Sequence, residues 1–197
     1  MRTIFLTTTA LAATICTAGA QTSTSARDHV ASPTSEASSD QQLIANALSA
    51  APLGIANGAT VVAHDGRVLR PGKTDWVCMP DIPDVPNNTP MCLDAEWRGF
   101  IDSWMNKRTP KVTRVAFGYM LQGDLPVSNV DPFAKASTAT NQWIEKGGPH
   151  VMMLVPDMTL LDQIGTDPTS GAPFVMWKGT AYAHIMIPAT AAPTKHP

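Results

Sequence analysis

The sequence predicts an α+β fold: a mainly antiparallel sheet carrying two or three packed helices, closed by one structural disulfide. Three observations lead there. Hairpin signals stand near both ends of the apolar part of the chain, at Asp65-Gly66 and at Lys178-Gly179-Thr180. Between them, residues 94–107 carry apolar side chains at helical spacing, and residues 115–121 form an apolar run of strand length. Finally, Cys78 and Cys92 remain as a pair once the N-terminal segment is set aside.

That segment is the first element. Arg2 supplies a positive charge, residues 4–15 form an apolar stretch interrupted by Thr, and Ala18-Gly19-Ala20 has the small-x-small pattern a signal peptidase accepts. The expectation is a signal peptide over residues 1–20, cleaved after Ala20, and a periplasmic or secreted mature protein. Cys16 raises the alternative of lipidation, but bulky Ile15 directly before it is wrong for a lipobox. Residues 21–39, dominated by Ser, Thr and Ala, bury too little surface to offset their ordering entropy and read as a flexible linker. Residues 189–197 read as a loose tail, which leaves one globular domain over 40–188.

The domain opens with a helix over residues 40–51. Ser39 or Asp40 can cap it, and Leu43, Ile44, Ala47, Leu48 and Ala51 share one face before Pro52 stops it. Residues 60–63 and 67–69 flank Asp65-Gly66 as a hairpin with a two-residue turn. Residues 76–79 form a short strand that leads into a loop rich in proline (Pro80, Pro83, Pro86, Pro90). A Cys78–Cys92 bridge would close that loop, and an oxidising compartment favours it. Chain entropy for a loop of about 15 residues suggests about 3 kcal/mol. The prolines already stiffen the unfolded loop and reduce that gain. A metal or redox role for the pair would favour CxxC spacing, which these cysteines lack.

In residues 94–107, Trp97, Phe100, Ile101, Trp104 and Met105 make a broad apolar stripe that needs a flat apolar partner. Residues 115–121 fit that need. Val115, Phe117, Tyr119 and Leu121 lie on one side and Ala116, Gly118 and Met120 on the other, as in a central strand covered on both faces. A long loop through Asp124, Asn129 and Asp131 follows, and residues 140–146 around Trp143 fit helix and strand equally. Residues 150–155 are a strand. Asp157 then caps a short helix carrying Leu160, Leu161 and Ile164, ended by Gly165 in the left-handed conformation. Residues 174–177 and 182–187 pair as the closing hairpin.

Composition excludes several functions. Fourteen Lys and Arg stand against sixteen Asp and Glu with no basic run, so nucleic acid is not the expected partner. The longest apolar stretch after residue 20 is 151–155, so no transmembrane segment is expected in the mature chain. The sequence contains no G-x-S-x-G elbow, H-E-x-x-H, P-loop or G-x-G-x-x-G.

The domain holds three histidines, His64, His150 and His184. Strand alternation puts His150, Met152 and Leu154 on one face, and Tyr182, His184 and Met186 on one face of the last strand. Should both faces point the same way, two imidazoles and two thioethers meet. That set suits a small ligand or a soft metal, and copper above all, because thioether sulfur is soft and imidazole binds copper in either oxidation state. The plainer account is that methionine fills core gaps and a strand histidine is a hydrogen-bonded core residue. A non-catalytic binding module is therefore the first expectation. The second is a small exported, hydrolase-like enzyme with His150 or His184 as base, Asp124 or Asp131 as its partner, and Ser128 in the same loop. Asp124, Asn129 and Asp131 are also possible ligand contacts, though their spacing fits no calcium loop. The third is a structural envelope protein without a pocket. Trp97 and Trp104 belong to the helix stripe, while Trp76, Trp143 and Trp177 suit either core or pocket wall.

Several stretches carry a resemblance: Trp76-Val77-Cys78-Met79-Pro80, Phe117-Gly118-Tyr119-Met120-Leu121-Gln122-Gly123, Asp131-Pro132-Phe133, Gly148-Pro149-His150-Val151-Met152 and Val175-Met176-Trp177-Lys178-Gly179-Thr180. Together with Tyr182 and His184, they resemble a family of small exported bacterial proteins to which no function is assigned. The resemblance implies export and carries no activity, cofactor or catalytic residue with it.

Overall fold

The structure, a computed structural model, describes residues 33–189, with side chains from Ser39 onward. The expected signal peptide, residues 21–32 of the expected linker and the tail beyond residue 189 lie outside the described residues.

Helix α1 (Pro33–Leu48) starts at Pro33 rather than at residue 40, so residues 33–39 are helix and not linker. Proline suits a first helical position, where its preset φ helps and its missing N–H would have had no partner. One turn of helix, α2 (Leu53–Ala56), follows Pro52. Strands β1 (Thr60–Val62) and β2 (Val68–Arg70) pair antiparallel as expected. Their turn differs, because Ala63 N–H donates to Arg67 O at 2.9 Å and encloses three residues, His64, Asp65 and Gly66. Only Gly66 has positive φ (88°), so the loop closes on one left-handed glycine and not on a two-residue primed turn. Arg70 then reaches back to cap α2, donating to the carbonyls of Ala56 at 2.6 Å and Ala59 at 2.8 Å.

Strand β3 (Val77–Met79) pairs antiparallel with β4 (Met91–Leu93), a strand that the proline-rich stretch before it obscures in the sequence. Cys78 and Cys92 sit directly opposite each other in this pair, fully buried and joined as a disulfide. Helix α3 (Ala95–Met105) follows at once, its first turn capped by Asp94, whose side chain accepts from Trp97 N–H. The remaining strands are β5 (Ala116–Met120), the short pair β6 (Val127–Ser128) and β7 (Trp143–Ile144), β8 (His150–Leu154), β9 (Phe174–Met176) and β10 (His184–Pro188). Before β9, a 3-10 helix (Met158–Gln163) is capped by Asp157.

The fold is α+β. The main sheet has eight strands in the order β2-β1-β3-β4-β5-β8-β10-β9, antiparallel throughout except for β1 beside β3. Alternation along β4 sorts its two faces. Cys92 packs with Ala47, Ala50 and Val61 under α1, whereas Leu93 packs with Trp97 and Phe100 of α3. Val155, Leu161, Val175, Ala183 and Ile185 form a third cluster around the 3-10 helix.

Three further expectations need correction. Strand β5 is central, yet Val115 and Phe117 stay 47% and 37% exposed, because α1 and the 3-10 helix cover the ends of that face rather than its middle. Met105, at the far end of the α3 stripe, is 73% exposed. Gly165 is not left-handed: the 3-10 helix ends at Ile164 in extended geometry, and Lys178 Nζ caps it by donating to Leu161 O (3.1 Å) and Ile164 O (3.2 Å). Among the described residues, no helix is long and apolar enough to cross a membrane.

Candidate functional site

The site lies on the α3 face of the sheet, where β5, β8, β10 and β9 run side by side. Register sets out three rows there. The first holds Met120, His150 and Pro188, and the second Gly118, Met152, Met186 and Phe174. The third, one step further, holds Ala116 beside Leu154 and His184 beside Met176. Gly118 leaves room for the roof, since a Cβ at this position would lie 2.9 Å from both Leu93 Cδ2 and Met152 Cε and 3.6 Å from Trp97.

His150, Met152, His184 and Met186 do therefore share one face. They do not close around one ion. Four residues at about 3.3 Å each separate the two histidine positions along the strands, roughly 13 Å. The rings also lean apart. His150 Nδ1 hydrogen-bonds Gly148 O (2.7 Å) and His184 Nδ1 hydrogen-bonds Tyr182 O (3.0 Å), each toward the start of its own strand, and these strands are antiparallel. Among the described residues, no group of three or more His, Cys, Asp and Glu is placed to hold a metal.

The same two bonds fix the chemistry of the rings. A carbonyl oxygen only accepts, so Nδ1 carries the proton in both histidines and the neutral ring presents a bare Nε2. His184 is 2% exposed and meets the rings of Trp97, Phe100 and Trp177 edge-on, with centroids 5.3, 5.9 and 5.0 Å away. Burial in this apolar setting pushes its pKa down to about 4, so it is neutral at neutral pH.

Beside His184, between α3 and the sheet, is a cavity of about 290 Å³. Its wall is largely apolar. Trp97, Trp104 and Trp177 contribute, as do Met91, Met120, Met152, Met176 and Met186, half of the ten methionines in the chain. The outer side is the loop after β5, through Leu125, Val127 and Pro132. Indole N–H groups tie this loop down: Trp104 Nε1 donates to Pro132 O (3.0 Å) and Trp177 Nε1 to Ser128 O (2.8 Å). Trp104 and Trp177 stack at 5.3 Å. Trp177 has φ 56°, a strained conformation for a bulky residue, held by its own N–H to Asn129 O at 2.7 Å.

A second cavity, of about 210 Å³, adjoins the first and shares Asp124, Val127, Met176 and Met186 with it. Its polar end is His150 and Asp124. His150 is 4% exposed, its Nε2 is buried without a hydrogen-bond partner, and Asp124 Oδ2 stands 4.0 Å away. Two glycines set the acid in place. Gly123 has φ 128°, and Asp124 N–H donates to Gly147 O at 3.0 Å, where a Cβ on Gly147 would come within 2.6 Å of Asp124 Cβ. Burial raises the pKa of the Asp124 carboxyl, opposed by His150 and by the Leu125 N–H it accepts.

The other loop residues build the loop instead of lining the cavity. Ser128 Oγ donates to Asn141 O (2.8 Å) and accepts from Val130 and Asp131 N–H, so its hydroxyl is engaged and its position is buried. Asn129, 1% exposed, donates to Gln142 Oε1 and Thr166 O. Asp131 is exposed and closes a turn by accepting from Phe133 N–H. Of Asp124, Asn129 and Asp131, only Asp124 reaches a cavity. The hydrolase-like arrangement is not assembled, since Ser128 is committed elsewhere and 4.0 Å exceeds a direct hydrogen bond between Asp124 and His150. His64 hydrogen-bonds the carbonyls of Pro80 and Asp81, away from both cavities.

Sequence reasoning passed over Trp104, Met91, Met120 and Met176 as site residues. Alternation along residues 115–121 had already placed Met120 on the face opposite Phe117, but no local pattern says which face α3 covers.

Comparison of the chain with protein-family models, with curated proteins and with solved structures finds no match.

Proposed function

We propose that this protein is a non-catalytic binding module for a small, largely apolar ligand, held between α3 and the sheet. The observation that carries this is the cavity of about 290 Å³ walled by three tryptophans and five methionines, with one neutral imidazole at its edge. Small-molecule sites are commonly of this kind: apolar walls, a few placed polar groups and a largely preformed shape. Methionine adds an adaptable surface, and tryptophan gives large contact area at low entropic cost. Export to the periplasm or beyond belongs to the same proposal, supported by the N-terminal pattern and by a disulfide that an oxidising compartment maintains. The test is a calorimetric titration with 1-hexanol, with tryptophan fluorescence recorded in parallel. Saturable binding to the wild type, weakened at least tenfold in Met152→Trp, which fills the cavity, supports the proposal. Absence of saturable binding removes it.

A second occupant is favoured by one specific observation. His184 Nε2 is a bare lone pair on a ring anchored through Nδ1, the way metal-ligating histidines are commonly held, and Met176 stands directly opposite it with Met186 next along its own face. One imidazole with two thioethers is a donor set for copper(I), which soft sulfur favours. His150 has no part in it. Copper(I) titration against a competing chelator tests this, and an affinity unchanged by His184→Asn would exclude it.

A further inference from the structure

We propose that the polar end of the cavity system, formed by Asp124 and His150, receives a protonated amine, so that the ligand is a small organic ammonium ion with an apolar body. This rests on the apolar cavity being the ligand site and adds the class of head group.

Three observations combine. First, the buried Nε2 of His150 has no partner among the protein groups, and a buried acceptor left unpaired costs about 1–3 kcal/mol. Because Nδ1 is committed as donor to Gly148 O, Nε2 can only accept while the ring is neutral, so the missing partner is a donor.

Second, the facing Asp124 Oδ2 is also an acceptor when ionised, and 4.0 Å leaves a gap between the two atoms too wide for a direct bond. A nitrogen about 2.8 Å from each atom fits that gap, with an angle of about 90° between the two bonds, within the reach of an ammonium group's three donors. The carboxylate supplies the charge that burying an ammonium requires. Lys146 lines the same cavity but is exposed and makes no ion pair with Asp124. A carboxylate ligand would instead place a second negative charge beside Asp124.

Third, the position of Asp124 depends on two glycines. Gly123 at φ 128° and the missing Cβ of Gly147 bring the acid to the wall common to both cavities. An amine placed there has its alkyl body directed past Met176 and Met186 toward the tryptophans.

The experiment compares three probes of equal chain length at pH 7.5 by calorimetry: 1-hexylammonium, 1-hexanol and hexanoate. The expected order has hexylammonium at least tenfold tighter than hexanol, and hexanoate weakest. In Asp124→Asn and in His150→Phe, hexylammonium should bind no tighter than hexanol does to the same variant. Hexanol binding with hexylammonium no tighter overturns the head-group proposal and leaves the apolar cavity standing, as does a preference that survives in folded Asp124→Asn. Failure of all three probes overturns both. The wild-type comparison decides without any variant having to fold.

Discussion

Asp94 Oδ2 accepts a hydrogen bond from the backbone N–H of Phe117 at 3.1 Å, while its Oδ1 accepts from Trp97 N–H at 2.9 Å. One carboxylate thus caps α3 and fastens it to β5, and Arg114 Nη1 lies 3.2 Å from the same Oδ2. At 4% exposure, Asp94 fixes the height of the cavity roof above its floor. Removing it strips the helix cap and leaves buried N–H groups unpaired.

Asp94→Ala should lower stability by about 2–4 kcal/mol, combining a lost cap with a lost charged hydrogen bond. Asp94→Asn, which keeps an acceptor for the cap, should lose clearly less. Urea denaturation followed by tryptophan fluorescence measures both. Equal, small effects would show that α3 is held by its apolar stripe alone.

The Cys78–Cys92 bridge joins neighbouring strands at positions fully shielded from solvent. Dithiothreitol should therefore reduce it slowly in native buffer and quickly in denaturant, as read by thiol labelling. The double variant Cys78→Ala/Cys92→Ala should lose about 2–3 kcal/mol, near the loop-entropy value and reduced by the intervening prolines.

His184 makes the fold sensitive to acid. In the unfolded chain an ordinary histidine protonates near pH 6.5, whereas in the folded protein His184 does so only at about 4. Between those values the unfolded state binds more protons, so stability is full above pH 6.5 and falls as the pH drops toward 4. The loss is about 1.4 kcal/mol per pH unit, up to about 3 kcal/mol in all. His184→Asn, whose amide can replace the Nδ1 donor to Tyr182 O, should lack this part of the pH dependence. Asp124, with its raised carboxyl pKa, acts in the opposite sense in both proteins and cancels in their difference. Thermal denaturation from pH 4 to pH 8 provides the comparison, and parallel curves would refute the assignment.

Gly147→Ala puts a methyl group 2.6 Å from Asp124 Cβ, so the acid must leave its present position opposite His150. The preference for hexylammonium over hexanol should fall about tenfold, to near parity, with hexanol binding retained. Calorimetry with the two probes measures this. An intact preference would mean that Asp124 does not hold the head group.

The sequence alone determined the parts governed by local rules. Residues 95–105 are helix, close to the expected 94–107, because Trp97, Phe100, Ile101 and Trp104 recur at its spacing behind Asp94. The hairpins form around Gly66 and Gly179, whose positive φ (88° and 82°) suits glycine. Alternation also sufficed to put each histidine on the same side of its strand as a methionine. What it missed were features set by distant partners: strand β4, paired between β3 and β5, and the end of the 3-10 helix, which Lys178 caps from seventeen residues away in sequence.

The tertiary structure decided everything that depends on register and on which face is covered. Pairing of Met152 with Met186 and of His150 with Pro188 brought the four expected residues onto one face while holding the histidines at its two ends. The packing of α3 then made that face a cavity, and the bridge between Asp124 and Gly147 set a carboxylate opposite one imidazole. Period-two alternation specifies the side of a strand and says nothing of its neighbour, so contacts across strands belong to the fold.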